Sequence, residues 1–143
     1  ARLVDALGAP LDFGDGGVGR LFPDAAVIAE RGHEVLTGPA ARVQTVIRVA
    51  DAIASGTVTL HPAREGPNLE RELLALKGIG PWTARYVVMR MLGDPDVLLD
   101  TDLVVRQGAQ ALDISLKNSQ RWAPWRSYVS MHLWITALER RQA

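Results

Sequence analysis

Three aspartates, Asp96, Asp100 and Asp102, fall within seven residues in 94-DPDVLLDTDLVVRQ-107. Gly93, Asp94 and Pro95 should end one helix, and Asp100 or Thr101 can cap the next. Asp102 then lies in or near that helix's first turn, where the dipole favours the carboxylate form. A carboxylate kept ionised there could face a developing positive charge. The same three acids also fit solvated turn and cap positions, and the segment alone does not separate the two readings.

A second group precedes them in 74-LALKGIGPWTARYVVMRML-92, where two glycines and a proline interrupt an apolar helical pattern. Gly78 suits the end of one helix, and Gly80 with Pro81 suits the start of another. The expected product is a helix, a tight hairpin and a second helix over residues 68–92. Its backbone N–H groups at 78–82 would point outward at a positive helix end, a geometry that suits one phosphate. An ordinary tight turn between two helices would carry the same glycines. Trp82 and Tyr86 stand at i and i+4 on the second helix, while Trp125 and Tyr128 open the C-terminal one. Such aromatics serve either as stacking surfaces or as core.

The elements that must position these groups read as helices. Ala1 to Leu7 resembles the last turns of a helix ending at Gly8, and its abrupt apolar start suggests an N-terminal truncation. A glycine-rich loop is expected between Pro10 and Pro23, after which Asp24 can cap a short helix through Ala29. The segment 40-AARVQTVIRVADAIASG-56 places Val43, Val46, Ile47, Ala50, Ile53 and Ala54 on one helical face, with Gly56 as a stop. Residues 57–67 form a connector, and Asn68 can cap a helix running to about Leu76. No segment reads as a convincing strand, so the expected class is all-α, with one domain over residues 1–143.

The full string from Leu73 to Ala84, with its LxxLxGIGPxTA spacing, resembles the helix-hairpin-helix motif of DNA-binding proteins. With LLDTDLVV about twenty residues later and 121-RWAPWRSYVSMHLWITAL-138 at the C-terminus, the chain resembles the HhH-GPD superfamily of DNA base-excision glycosylases. Its AlkA-type 3-methyladenine branch is the most similar. That resemblance implies an all-α helix-hairpin-helix catalytic domain that hydrolyses the N-glycosidic bond of alkylated purines in double-stranded DNA. Alignment through DLVV makes Asp102 the catalytic carboxylate, stabilising a cationic sugar and orienting water.

The same resemblance places Trp82, Tyr86 and Trp125 around a flipped base, with Trp134 and Trp122 left as core. It assigns Gly78, Ile79, Gly80, Trp82 and Thr83 to the DNA backbone. No cofactor is implied beyond a Na⁺ or K⁺ ion on the carbonyls of Leu74, Leu76 and Ile79. Lyase relatives carry a lysine where Trp82 stands, so a monofunctional enzyme leaving an abasic site is expected. Leu103 replaces an aromatic residue, which leaves base preference open. The family's wedge residue and its N-terminal β-rich domain would lie upstream of Ala1, and an Ada-type fusion would account for a longer parent.

Bulk properties narrow the remainder. Sixteen basic and sixteen acidic side chains cancel. Residues 1–65 carry −2, from 6 basic and 8 acidic groups, and residues 66–143 carry +2, from 10 and 8. Anion recognition must therefore be local. Zero cysteines exclude disulfides and thiolate metal sites, and His33, His61 and His132 are too scattered for a histidine site. With neither a signal peptide nor a membrane-spanning run, a cytoplasmic monomer is expected. A non-catalytic helix-hairpin-helix DNA-binding module is the alternative; it would need Gly78 and Gly80 but not Asp102 beside Trp82.

Overall fold

The computed structural model describes residues 2–11 and 19–142. Most of the glycine-rich loop expected between Pro10 and Pro23 falls outside them. The described residues form helices and turns, with no strand beyond a single bridge between Pro10 and Arg20. They cluster into two compact units, residues 1–59 with 75–79 and residues 60–74 with 80–143.

The first unit contains α1 (Arg2–Leu7), α2 (Ala25–Val35) and α3 (Ala40–Ala54). α2 is longer than the short helix expected from Asp24 to Ala29, and the Asp24 side chain makes no capping bond. The helix continues because Ile28 and Gly32 are buried, and a Cβ at Gly32 would already touch Ile47 on α3. Packing outweighs local propensity there. α3 follows the expected face only in part: Ala50 is buried, but Val46 is 37% exposed, Ala54 is exposed, and Ala52, outside that face, is buried instead.

The first unit also holds the turn of the hairpin. Gly78 has φ +101, and a Cβ added to it would lie 2.0 Å from the Thr45 hydroxyl oxygen. Both constraints demand glycine. Beside it, Arg48 donates to the Lys77 carbonyl at 2.6 Å, and the Ile79 N–H donates to the Leu76 carbonyl at 3.0 Å.

The second unit is built from α4 (Gly66–Ala75), α5 (Pro81–Met91), α6 (Leu103–Ala111), a 3-10 segment (Leu116–Trp122) and α7 (Arg126–Gln142). Asn68 is not the cap of α4. The helix starts two residues earlier, where Pro67 already has the helical φ, and the Asn68 amide bonds Glu65 and Arg71 instead. Pro81 occupies the first turn of α5 and Gly80 its N-cap, as the sequence requires. Met89, Leu99, Val105, Ala109 and Leu133 make the buried centre, flanked by Tyr86, Val97 and Trp134. α6 and α7 approach closely, since a Cβ on Gly108 would stand 2.0 Å from the Leu133 carbonyl oxygen.

Candidate active site

Asp102 is the N-cap of α6. One carboxylate oxygen, Oδ1, accepts the N–H groups of Val104 at 2.7 Å and Val105 at 2.9 Å. The sequence expectation put the cap at Asp100 or Thr101 and Asp102 in or near the first turn of the helix. The structure places the boundary at Asp102, which has extended backbone and a side chain turned back onto the first N–H groups.

Two indoles complete the carboxylate's surroundings. Trp134 Nε1–H donates to Oδ1 at 3.0 Å and Trp82 Nε1–H donates to Oδ2 at 2.6 Å. Partial burial disfavours the charged form, but the hydrogen bonds from Trp134, Val105, Trp82 and Val104 outweigh it and hold the Asp102 carboxyl below its usual range. All four donors are neutral. The site therefore keeps a full negative charge without a resident cation to cancel it.

Aromatic rings surround that charge. Trp82 and Tyr86 stack nearly parallel, with centroids 5.3 Å apart and planes 7° from parallel. Tyr86 meets Trp134 edge-on at 6.0 Å. Trp82 stays 40% exposed, so its outer surface is open to a ligand. Leu103, the first residue of α6, is 67% exposed beside the carboxylate.

Asp100 faces elsewhere. It pairs with Arg85 at 2.9 Å, and Arg85 also reaches Glu70, so this acid is tied to α5 and α4 through a guanidinium. Arg106 Nε–H donates to the Asp100 carbonyl at 2.9 Å. Asp100 is thus not the helix cap but an ion-paired residue of the approach to α6.

The structure places Trp82 against the Asp102 carboxylate and Tyr86 stacked on Trp82. Trp125 is not among Asp102's partners. It is 58% exposed, packs edge-on to Tyr128 at 5.7 Å, and lines a separate apolar recess with Ile114, Trp122 and Leu133. Sequence reasoning missed Trp134, which it assigned to the core. That residue packs against the core and also donates to the carboxylate, and its indole N–H was the available signal, because a half-buried indole requires an acceptor.

Around the hairpin, Gly80 has extended backbone, with φ −96 and ψ 170, and a Cβ there would meet nothing within 4 Å. Neither its conformation nor its packing demands glycine, in contrast to Gly78. Among the described residues no cluster of His, Asp or Glu side chains could hold a metal ion. No helix among them is long and apolar enough to cross a membrane.

No protein-family model matches the chain. It is 37% identical over 141 residues to a probable bifunctional transcriptional activator/DNA repair enzyme AlkA of Mycobacterium tuberculosis, covering 94% of this chain and 28% of that protein. It is 33% identical to DNA-3-methyladenine glycosylase 2 of Escherichia coli, over 68% of this chain and 36% of the relative. The chain therefore spans about a third of the length of these relatives. Among solved structures, the 3-methyladenine DNA glycosylase Mag1 of Schizosaccharomyces pombe, in complex with abasic DNA, superposes with a TM-score of 0.73. Identity there is 26%, over 83% of this chain and 65% of that one. With the likeness running through the hairpin and the segment that presents Asp102, the chain belongs to the AlkA-type branch of the HhH-GPD superfamily.

Proposed function

We propose that this chain is the catalytic part of a base-excision glycosylase that hydrolyses the N-glycosidic bond of alkylated purines in double-stranded DNA. The observation that carries this reading is the Asp102 carboxylate, held by four neutral N–H groups beside the stacked face of Trp82 and Tyr86. The relatives' names, and the complex of Mag1 with abasic DNA, support the reaction class.

The chemistry follows from charge. An alkylated purine is already cationic, so the electron pair of the breaking C1′–N bond leaves with the base without prior protonation. Positive charge builds on the sugar, and Asp102 lies ready to stabilise it without reorganising at the moment of reaction. Water then adds its oxygen to C1′ and yields its proton to the carboxylate or to solvent. Because duplex stacking blocks C1′, the nucleotide must first be flipped out. Trp82 supplies an electron-rich face for the extruded cation, worth roughly 1–3 kcal/mol.

Release of an intact abasic site follows from the residues at hand. Trp82 has no amine to form a Schiff base, and the chain's two lysines, Lys77 and Lys117, are not among Asp102's partners. At the hairpin, the N–H groups of Gly80, Trp82 and Thr83 take a DNA phosphate, since the Ile79 N–H is spent on the Leu76 carbonyl and Pro81 has none, and the unencumbered space at Gly80 admits the strand. A monovalent cation there would draw on the backbone carbonyls of Leu74, Leu76 and Ile79. That all-oxygen set contains no carboxylate and suits Na⁺ or K⁺.

The test is excision of methylated purines from duplex DNA by the intact parent protein, with borohydride trapping alongside. Free base release without a trapped adduct is expected. Duplex binding with no base release would favour the non-catalytic DNA-binding module, and trapped adducts would overturn the monofunctional assignment.

A further inference from the structure

Residues 97–99, which carry the chain toward Asp102, belong to neither helix nor strand, yet Leu99 is fully buried. Their backbone N–H groups need partners, since an orphaned buried donor is costly. Two serines of α7 supply them for Val97 and Leu99. Val97 N–H donates to Ser127 Oγ at 2.9 Å, and Leu99 N–H donates to Ser130 Oγ at 3.0 Å. Each hydroxyl spends its own proton elsewhere, Ser127 on the Asp94 carbonyl at 2.6 Å and Ser130 on the Arg126 carbonyl at 3.1 Å.

Both serines are buried, Ser130 completely, and neither touches Asp102. The relay to the carboxylate is short. The Leu99 carbonyl accepts the Asp102 N–H at 3.0 Å, so the Leu99 residue bonded by Ser130 also fixes the Asp102 backbone. Ser127, Ser130 and Trp134 fall at i, i+3 and i+7 on one face of α7. One helix face thus contacts the segment at residues 94, 97, 99 and 102 in turn.

Resting on the glycosylase reading above, we infer that Ser127 and Ser130 are positioning residues that set the reach of Asp102 toward the sugar by fixing residues 97–99 against α7. A hydroxyl is suited to this because it accepts from one peptide while donating to another, which an alanine or a larger apolar residue cannot do.

The experiment uses the intact parent protein carrying Ser130→Ala. Single-turnover excision should slow on the order of 10- to 100-fold, as expected when a reacting group moves by a fraction of an ångström to one ångström. Affinity for the methylated duplex should stay within about twofold, because no DNA-facing group is altered. The indole N–H resonances of Trp82 and Trp134 should shift as their bonds to Asp102 lengthen, and the acid limb of the rate profile should move to higher pH. Ala137→Gly, on the same helix but bonded to no part of the segment, serves as the control for lost stability and should change neither signal. Ser127→Ala, which releases Val97 instead, should reproduce the effect and covers the case in which Ser130→Ala does not fold. Unchanged indole resonances and acid limb in both serine variants, or equal changes in Ala137→Gly, would overturn the inference. If the wild-type protein excises nothing, the functional reading fails, and the indole resonances still decide whether the serines place Asp102.

Discussion

Asp96 and Asp102 stand at the two ends of one short segment, and both carboxyls are held below their usual range for different reasons. Asp96 is gripped by Arg126, whose Nε and Nη2 each lie 2.7 Å from one of its oxygens, so the bond and charge of a guanidinium stabilise it. Asp102 reaches the same direction against partial burial, through indole and backbone donors that carry no net charge. The first pair is neutral as a unit and can only tie α7 to the segment. The second site remains an anion and can meet a cation. A lowered pKa by itself therefore does not tell the two carboxylates apart; the charge of their partners does.

The largest test of that contrast is Asp102→Asn. Asparagine caps a helix nearly as well as aspartate, so folding should survive while the charge is lost. Single-turnover excision should fall roughly 10²- to 10³-fold, with duplex binding retained. Asp96→Asn should do the reverse, lowering the unfolding temperature while excision by the folded fraction stays close to wild type. If the Asp96 variant were the inactive one, the assignment of roles would be inverted.

Removing the neutral donors one at a time sharpens the comparison. Trp134→Phe keeps a ring against Tyr86 but deletes the N–H on Oδ1, and should slow excision about tenfold, in line with one lost hydrogen bond to a charged group. The acid limb of the pH profile should rise in that variant. In the wild type the sign is fixed by the lowered pKa. Asp102 stays ionised through the ordinary aspartate range, and both activity and the stabilisation from its hydrogen bonds should be lost only as the pH falls through that lowered value. A rate already declining near neutrality would contradict it.

Binding should respond separately from chemistry. Gly80→Asp places a charged side chain in the open space at the hairpin and should weaken all duplexes alike, by about tenfold, with no change of sequence preference across a salt titration. The smallest effect is expected from Asp100→Asn. Its partner Arg85 keeps Glu70, both groups of the Asp100 pair are more than a third exposed, and such a pair contributes about 0–1 kcal/mol. Excision within about threefold of wild type would separate Asp100 from Asp102.

Local rules made part of this protein legible in its sequence. The GIGP turn, α3 and the break at Gly93 follow from glycine, proline and apolar spacing, which act over a few residues. The carboxylate and its Trp82–Tyr86 neighbours could be chosen because family spacing ties them together along the chain. The start of α4, the length of α2 and the cap of α6 were not settled that way. Each depends on which of several competent residues has its backbone turned toward the first helical N–H groups, or on what packs against the helix.

Trp134 and Ser130 show the boundary most clearly. The sequence by itself determined that α7 would carry a tryptophan and serines among apolar residues, and that buried polar atoms there would need partners. Only the tertiary structure decided that those partners are the Asp102 carboxylate and the peptides of Val97 and Leu99, some thirty residues away along the chain. Hydrogen-bonding capacity belongs to the residue type. The choice of acceptor or donor is made when α7 packs beside the segment, because that packing brings distant backbone within three ångströms of a fixed side chain.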